Sequence, residues 1–102
     1  MKKAFNILVH RNDENVHLKL IGDFDEMAVI DFLNTLNLYS RYASKIFIHT
    51  DALNVLRDYD EQHFLNHLHD RLKQLNIMIL STGRFSSLFK HALDKTLFVN
   101  KL

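Results

Sequence analysis

Along this chain the spacing of apolar residues switches back and forth between a period of two and a period near 3.6, and no other feature constrains the fold as much. Val16, Leu18 and Leu20 alternate with His17, Lys19 and Ile21, the pattern of a half-buried strand. A short apolar run, Phe5 to His10, precedes it, and Arg11-Asn12-Asp13-Glu14-Asn15 between them predicts a polar five-residue turn and a β-hairpin. Gly22-Asp23-Phe24-Asp25 ends the second strand. Val29, Phe32, Leu33, Leu36 and Tyr39 then fall on one stripe of a helix, with Asp31, Asn34 and Thr35 facing away. Asp25 is placed as its N-cap, because its carboxylate can accept from free N–H groups of the first turn.

Lys45-Ile46-Phe47-Ile48-His49-Thr50 is a β-branched and aromatic run, the signature of an interior strand. Residues 51–60 read as a connection. Phe64, Leu65, Leu68, Leu72 and Leu75 predict a second amphipathic helix over about 61–74. Ile77-Met78-Ile79-Leu80 predicts another buried strand, ended by Ser81-Thr82-Gly83. Ser86 or Ser87 can cap a last helix bearing Leu88, Phe89, Ala92 and Leu93, and Leu97-Phe98-Val99 is a short edge strand or a docking tail. The order is β-β-α-β-α-β-α, which predicts a small α/β domain with a mostly parallel sheet and an N-terminal antiparallel hairpin arm. Residues 1–102 are read as one domain. At 102 residues, roughly 60–70% of the unfolded surface can leave water, enough for a single core.

Composition removes several function classes. With no cysteine there is no disulfide scaffold, thiolate zinc site or cysteine nucleophile. The net charge is +1 with both signs mixed along the chain, whereas a nucleic-acid binder shows a basic stripe. No apolar run is long enough to span a membrane. The stretch after Lys2 and Lys3 is too short for a signal-peptide core, so a cytoplasmic protein is expected. The two glycines, Gly22 and Gly83, lie too far apart for a phosphate loop, and Ser81, Ser86 and Ser87 lack a nucleophile-elbow sequence. A response-regulator receiver needs about five βα units and an acidic pair after its first strand; this chain is too short and opens with a hairpin. No enzyme activity and no cofactor are expected.

In element order and in three short motifs, the chain resembles the STAS domains, the family of bacterial anti-sigma factor antagonists and of cytosolic domains on sulfate transporters. The strand 16–21 running into Gly22, Asp23, Phe24 and Asp25 is similar to the family's Gly-acid-apolar-Asp turn before its first helix. The strand 45–49 is followed, after a loop of matching length, by Asp58 leading into the second helix, and the strand 77–80 with Ser81-Thr82-Gly83 precedes a closing helix. The resemblance implies a regulatory domain that works by binding another protein: an ATPase-type kinase, a sigma-regulatory protein or a transporter subunit.

One departure alters what the resemblance implies. In signalling members the family Asp is followed by a phosphorylated hydroxyl residue, a second hydroxyl and a glycine. Here the stretch is Asp58-Tyr59-Asp60-Glu61, and no Ser or Thr occurs between residues 51 and 74. The Ser/Thr phosphoswitch does not carry over. A helix N-terminus presents unpaired N–H groups and about half a positive charge, so carboxylates there stabilise it by ~0.3–1 kcal/mol each. Asp58, Asp60 and Glu61 therefore have two readings: simple helix capping, or a fixed acidic surface that docks a basic partner patch. Tyr59 is either an exposed aromatic anchor of that surface or folds back on the sheet; His63 lies at the start of the same helix.

Seven histidines invite a metal hypothesis. His63 and His67 share a helical face with Asp70 one turn later, a set able to hold zinc or nickel, but no distant third ligand and no Glu beside His63 completes it. A polar helix flank explains the same spacing. His17 is predicted to point outward from its strand, and His49 to be a hydrogen-bonded residue closing an interior one. Met27 and Leu38 lie opposite the buried stripe of the first helix, with Ile30 at its edge; if joined in one patch they mark an interface or a contact with a second copy. The expectation is a non-catalytic, protein-binding STAS-like domain. The alternatives are a small-ligand or metal-binding domain on the same scaffold and an accessory structural subunit of a transporter complex.

Overall fold

The computed structural model describes residues 4–55, 70 and 77–85. The period-two pattern builds β1 (Asn6–Asn12) and β2 (Asn15–Phe24), which pair antiparallel from Asn6 opposite Ile21 to Asn12 opposite Asn15. The hairpin is tighter than predicted. Only Asp13 and Glu14 lie between the paired residues, and Asp13 takes φ 57°. Two-residue loops with a left-handed residue match the twist of the flanking strands, and Asp tolerates that conformation better than most side chains. Arg11, Asn12 and Asn15, predicted as turn, therefore belong to the strands.

Asp25 opens α1 (Glu26–Tyr39) as predicted: it is extended (φ −104°, ψ −171°) and its Oδ1 accepts from Ala28 N–H at 2.9 Å. Ala28, Val29, Phe32, Leu33 and Leu36 are buried, and Tyr39 packs half-buried against the core. At the far end Ser40 N–H donates to the Leu36 carbonyl at 2.8 Å. α1 supplies the crossover that parallel pairing of β2 with β3 (Lys45–Val55) requires. β4 (Met78–Thr82) pairs parallel on the far side of β3, so among the described residues one mixed sheet runs in the order β1-β2-β3-β4. The interior position expected for Lys45–Thr50 is the position β3 holds.

β3 is longer than predicted. Residues 51–55, read as part of a mixed polar-apolar connection, continue the strand, and β2 likewise extends through Gly22 to Phe24. Leu53, Asn54 and Val55 pair with Gly22, Asp23 and Phe24, so their backbone groups find partners across the sheet that the local sequence does not announce. Lys19 faces His49 but Ile21 faces Ala52, which leaves one extra residue on β3, a bulge at Thr50 and Asp51.

The core lies between α1 and one face of the sheet. Phe24, Phe32, Leu18, Leu20, Leu36, Ile46, Ile48 and Ile79 are fully buried there. Each such side chain contributes ~1.5–3 kcal/mol relative to exposure. The Phe24 and Phe32 rings meet edge-on at 6.2 Å, and Phe5 tilts against Phe24 at 5.7 Å. Met27, Ile30 and Leu38 are exposed, on the side of α1 away from this core. The predicted helix over 61–74, Asp70 apart, the predicted helix after Ser86 and the segment 97–99 lie outside the described residues. Among the described residues no helix is long and apolar enough to cross a membrane.

Candidate functional site

In sheets of parallel strands the carboxyl ends are where loops gather and ligands or partners are met. Here β2 ends in Gly22-Asp23-Phe24 and hands over to Asp25, while β3 ends alongside in Leu53-Asn54-Val55, register partners of those β2 residues. Gly22 has φ +95°, and a Cβ placed there would lie 2.1 Å from the Ala4 carbonyl oxygen. Only glycine lets the N-terminal chain cross this close to β2. Asp23 is buried, and its Oδ1 accepts from Asn54 Nδ2 at 2.8 Å, tying the two strand ends together side chain to side chain. Phe24 enters the core and Asp25 caps α1. The four residues of this predicted motif thus do four different jobs: a close crossing, a strand tie, a core anchor and a helix cap.

The β3 bulge organises the end of β4. Thr50, fully buried, donates its hydroxyl to the Thr82 carbonyl at 2.9 Å and accepts from Phe85 N–H at 3.0 Å. Asp51 Oδ1 accepts from Arg84 N–H at 3.0 Å. Gly83, at φ +100°, passes so near that a Cβ would sit 2.8 Å from Thr50 Oγ1. Without the extra residue, Thr50 and Asp51 could not both aim at this turn. The sheet's carboxyl edge is therefore held by polar side chains of β3 on both sides, Asn54 toward β2 and Thr50 with Asp51 toward β4.

On the sheet face opposite α1 the strands assemble a row of rings that periodicity alone does not reveal. His10 of β1 is directly opposite His17 of β2, with ring centroids 6.3 Å apart. His17 is opposite Phe47 of β3 and stacks on it at 4.6 Å and 7°. It also lies nearly coplanar in orientation with His49, centroids 5.1 Å apart, and His17 Nδ1 is 2.9 Å from His49 Nε2. The other nitrogen of His49, Nδ1, is 2.9 Å from Thr82 Oγ1 on β4. Burial first and the neighbouring His17 second push the His49 pKa below its ordinary value; Lys19 adds to the effect and Asp51 opposes it.

His17 is turned away from the α1 core and His49 is hydrogen-bonded, as the sequence predicts, but His49 lies within β3 and does not close it, and the union of the two rings has no sequence signal. Two residues 32 apart in sequence meet only through the parallel register, which no local pattern encodes. The predicted partner-binding residues Asp58, Tyr59, Asp60, Glu61 and His63 lie outside the described residues, and so does His67; Asp70 is exposed. Among the described residues no group of three or more His, Asp or Glu side chains is arranged to hold a metal ion.

No family model matches the chain. No curated protein matches it in sequence. Solved structures do match in fold. The anti-sigma factor antagonist SpoIIAA in its unphosphorylated form superposes with a TM-score of 0.55 at 14% identity, over 97% of this chain and 89% of that one. The Bacillus cell fate determinant SpoIIAA in its phosphorylated form gives 0.56 at 15% identity, over 97% and 92%. The hairpin arm, the capped first helix and the parallel strands beyond it make this chain a STAS-like domain in fold.

Proposed function

We propose that this chain is a non-catalytic regulatory domain that binds another protein, in the manner of an anti-sigma factor antagonist, through the acidic stretch after β3. The observation that carries this reading is the fold it shares with SpoIIAA, a protein known in both phosphorylated and unphosphorylated forms. The sequence supplies the difference. Asp58, Asp60 and Glu61, three to six residues beyond the last β3 residue, carry carboxylates in a stretch with no Ser or Thr between residues 51 and 74. Carboxylates at a helix start give a partner a constant negative surface, whereas a phosphorylated hydroxyl adds about −1.5 to −2 charges on demand. In this reading Tyr59 supplies the aromatic anchor and His63 extends the contact along the helix that the sequence predicts there. The partner then carries a basic docking patch and is captured without an on–off cycle of phosphorylation. The whole chain acts as one domain in this reading.

The test is a double charge reversal, Asp58→Lys with Asp60→Lys. The partner is first identified by capture on the wild-type chain from its native cell extract and mass spectrometry. Calorimetry on the purified pair is then expected to show at least a tenfold loss of affinity in the variant, about 1.4 kcal/mol or more, with the circular dichroism spectrum and melting temperature little changed. Unaltered affinity in a folded variant removes the acidic stretch from the interface.

A further inference from the structure

We propose that the His17–His49 pair is an acid-sensitive clasp between β2 and β3, one that holds with at most one extra proton and opens on the second. Three contacts place it: His17 Nδ1 to His49 Nε2 at 2.9 Å, His49 Nδ1 to Thr82 Oγ1 at 2.9 Å, and the stack of His17 on Phe47. With both rings neutral the chain of hydrogen bonds runs in either of two senses. His17 donates to His49, which donates to Thr82, or the Thr82 hydroxyl donates to His49, which donates to His17. Each sense satisfies every nitrogen of the contact.

A first proton preserves the clasp. If it lands on His17, the ring still donates from Nδ1 to His49. If it lands on His49, both its nitrogens donate, one to His17 Nδ1 and one to Thr82 Oγ1. Either way the inter-ring bond becomes charge-assisted and stronger. A second proton cannot be accommodated, because Nδ1–H of His17 then faces Nε2–H of His49 across 2.9 Å and two positive rings lie with centroids 5.1 Å apart. The rings must separate, and the side-chain link from β2 through β3 to β4 is cut at its middle.

The surroundings favour resistance followed by release. His10 faces the pair from β1, and Lys19 on β2 adds positive charge; Lys45 lies diagonally from His17 on β3, and Asp51 on the same strand is the one carboxylate among the described residues that offsets them. β4 brings the neutral Thr82 hydroxyl, and α1 lies on the other face of the sheet. Burial of His49 opposes its protonation further. As the second proton enters, the face around Phe47 changes from one shared charge to two cations beside Lys19. The clasp does not depend on where a partner docks.

Histidine side-chain resonances followed by NMR as a function of pH test it on the intact chain. Two interacting sites titrate in separated steps that belong to the pair. The wild type is expected to show His17 and His49 resonances that each report both steps, with an imidazole N–H in the inter-ring bond protected through the first step and lost in the second. In His17→Phe, which keeps a ring over Phe47 and removes the nitrogen, the His49 midpoint is expected to move up and to become a single step, while His10→Phe leaves the two-step curve of the pair in place. One common midpoint for His17, His49 and His10 in the wild type overturns the clasp. So does a His49 titration indifferent to His17→Phe; should that variant fail to fold, the wild-type curve and its N–H signal decide alone.

Discussion

The two faces of the sheet are built on opposite principles. Toward α1, the alternate residues Val16, Leu18, Leu20, Ile46, Ile48 and Ile79 are buried and apolar and pack with Phe32 and Leu36, the buried Ser81 continuing the row on β4 opposite Ile48. On the far face His17, Phe47, His49 and Thr82 are half-buried and joined by directed contacts, with Lys19 exposed beside them and Leu80 buried opposite Phe47. The first face gains stability by area removed from water, which tolerates modest changes of shape. The second gains it from hydrogen bonds that need particular atoms and a particular protonation state. One domain thus carries an insensitive core on one side of its sheet and a condition-sensitive network on the other.

The sharpest way to break that contrast is to truncate one ring on each face. Phe32→Ala leaves a cavity at a position with no exposure and is expected to cost ~3–5 kcal/mol in chemical denaturation. Phe47→Ala removes a ring only half-buried and is expected to cost clearly less under the same conditions. Equal losses would mean that both faces are core.

What could be seen in advance follows the same division. The α1 stripe and its Asp25 cap are local: residues three and four apart, and a side chain reaching its own helix's third residue, are written in sequence spacing. The mixed stretch Asp51 to Asn54 reads as a connection because its strand character comes from pairing with Ile21, Gly22 and Asp23, some thirty residues earlier, and not from β-propensity. The His17–His49 contact has the same origin. At the carboxyl edge the sequence identified Gly22, Asp23, Phe24 and Asp25 as a unit, through resemblance, but their separate roles needed the neighbours Ala4, Asn54 and Ala28. The acidic residues 58–61 stand on sequence alone.

A smaller effect sharpens the boundary between the helix and the carboxyl edge. Asp25→Ala removes the acceptor for Ala28 N–H and is expected to cost about 1 kcal/mol, within the ~0.5–2 kcal/mol found for helix caps. Asp25→Asn, which keeps an acceptor oxygen, is expected to recover most of it. Urea titrations of the three proteins measure this. A loss of similar size in Asn and Ala variants would assign Asp25 a charge role at the sheet edge in place of capping.

The smallest effect is the one that separates the faces by condition and not by size. His49 has its pKa lowered in the folded chain from the ordinary 6.5, so between that value and its folded pKa the unfolded chain binds the extra proton more readily. Stability that is fully present above 6.5 is therefore lost progressively as pH falls toward the folded pKa, the direction expected of a group kept neutral by burial. Carboxylates and the remaining histidines also titrate on acidification, so the wild-type slope by itself does not isolate His49. His49→Asn does: it retains a polar side chain toward Thr82 and removes the proton site. Unfolding free energies at about pH 7.5 and about pH 5.5 are expected to differ more in the wild type than in His49→Asn. Phe32→Ala, on the apolar face, is expected to lower both values and leave their difference as it is. If acidification acts on all three proteins alike, the histidine face holds the sheet no differently from the apolar one.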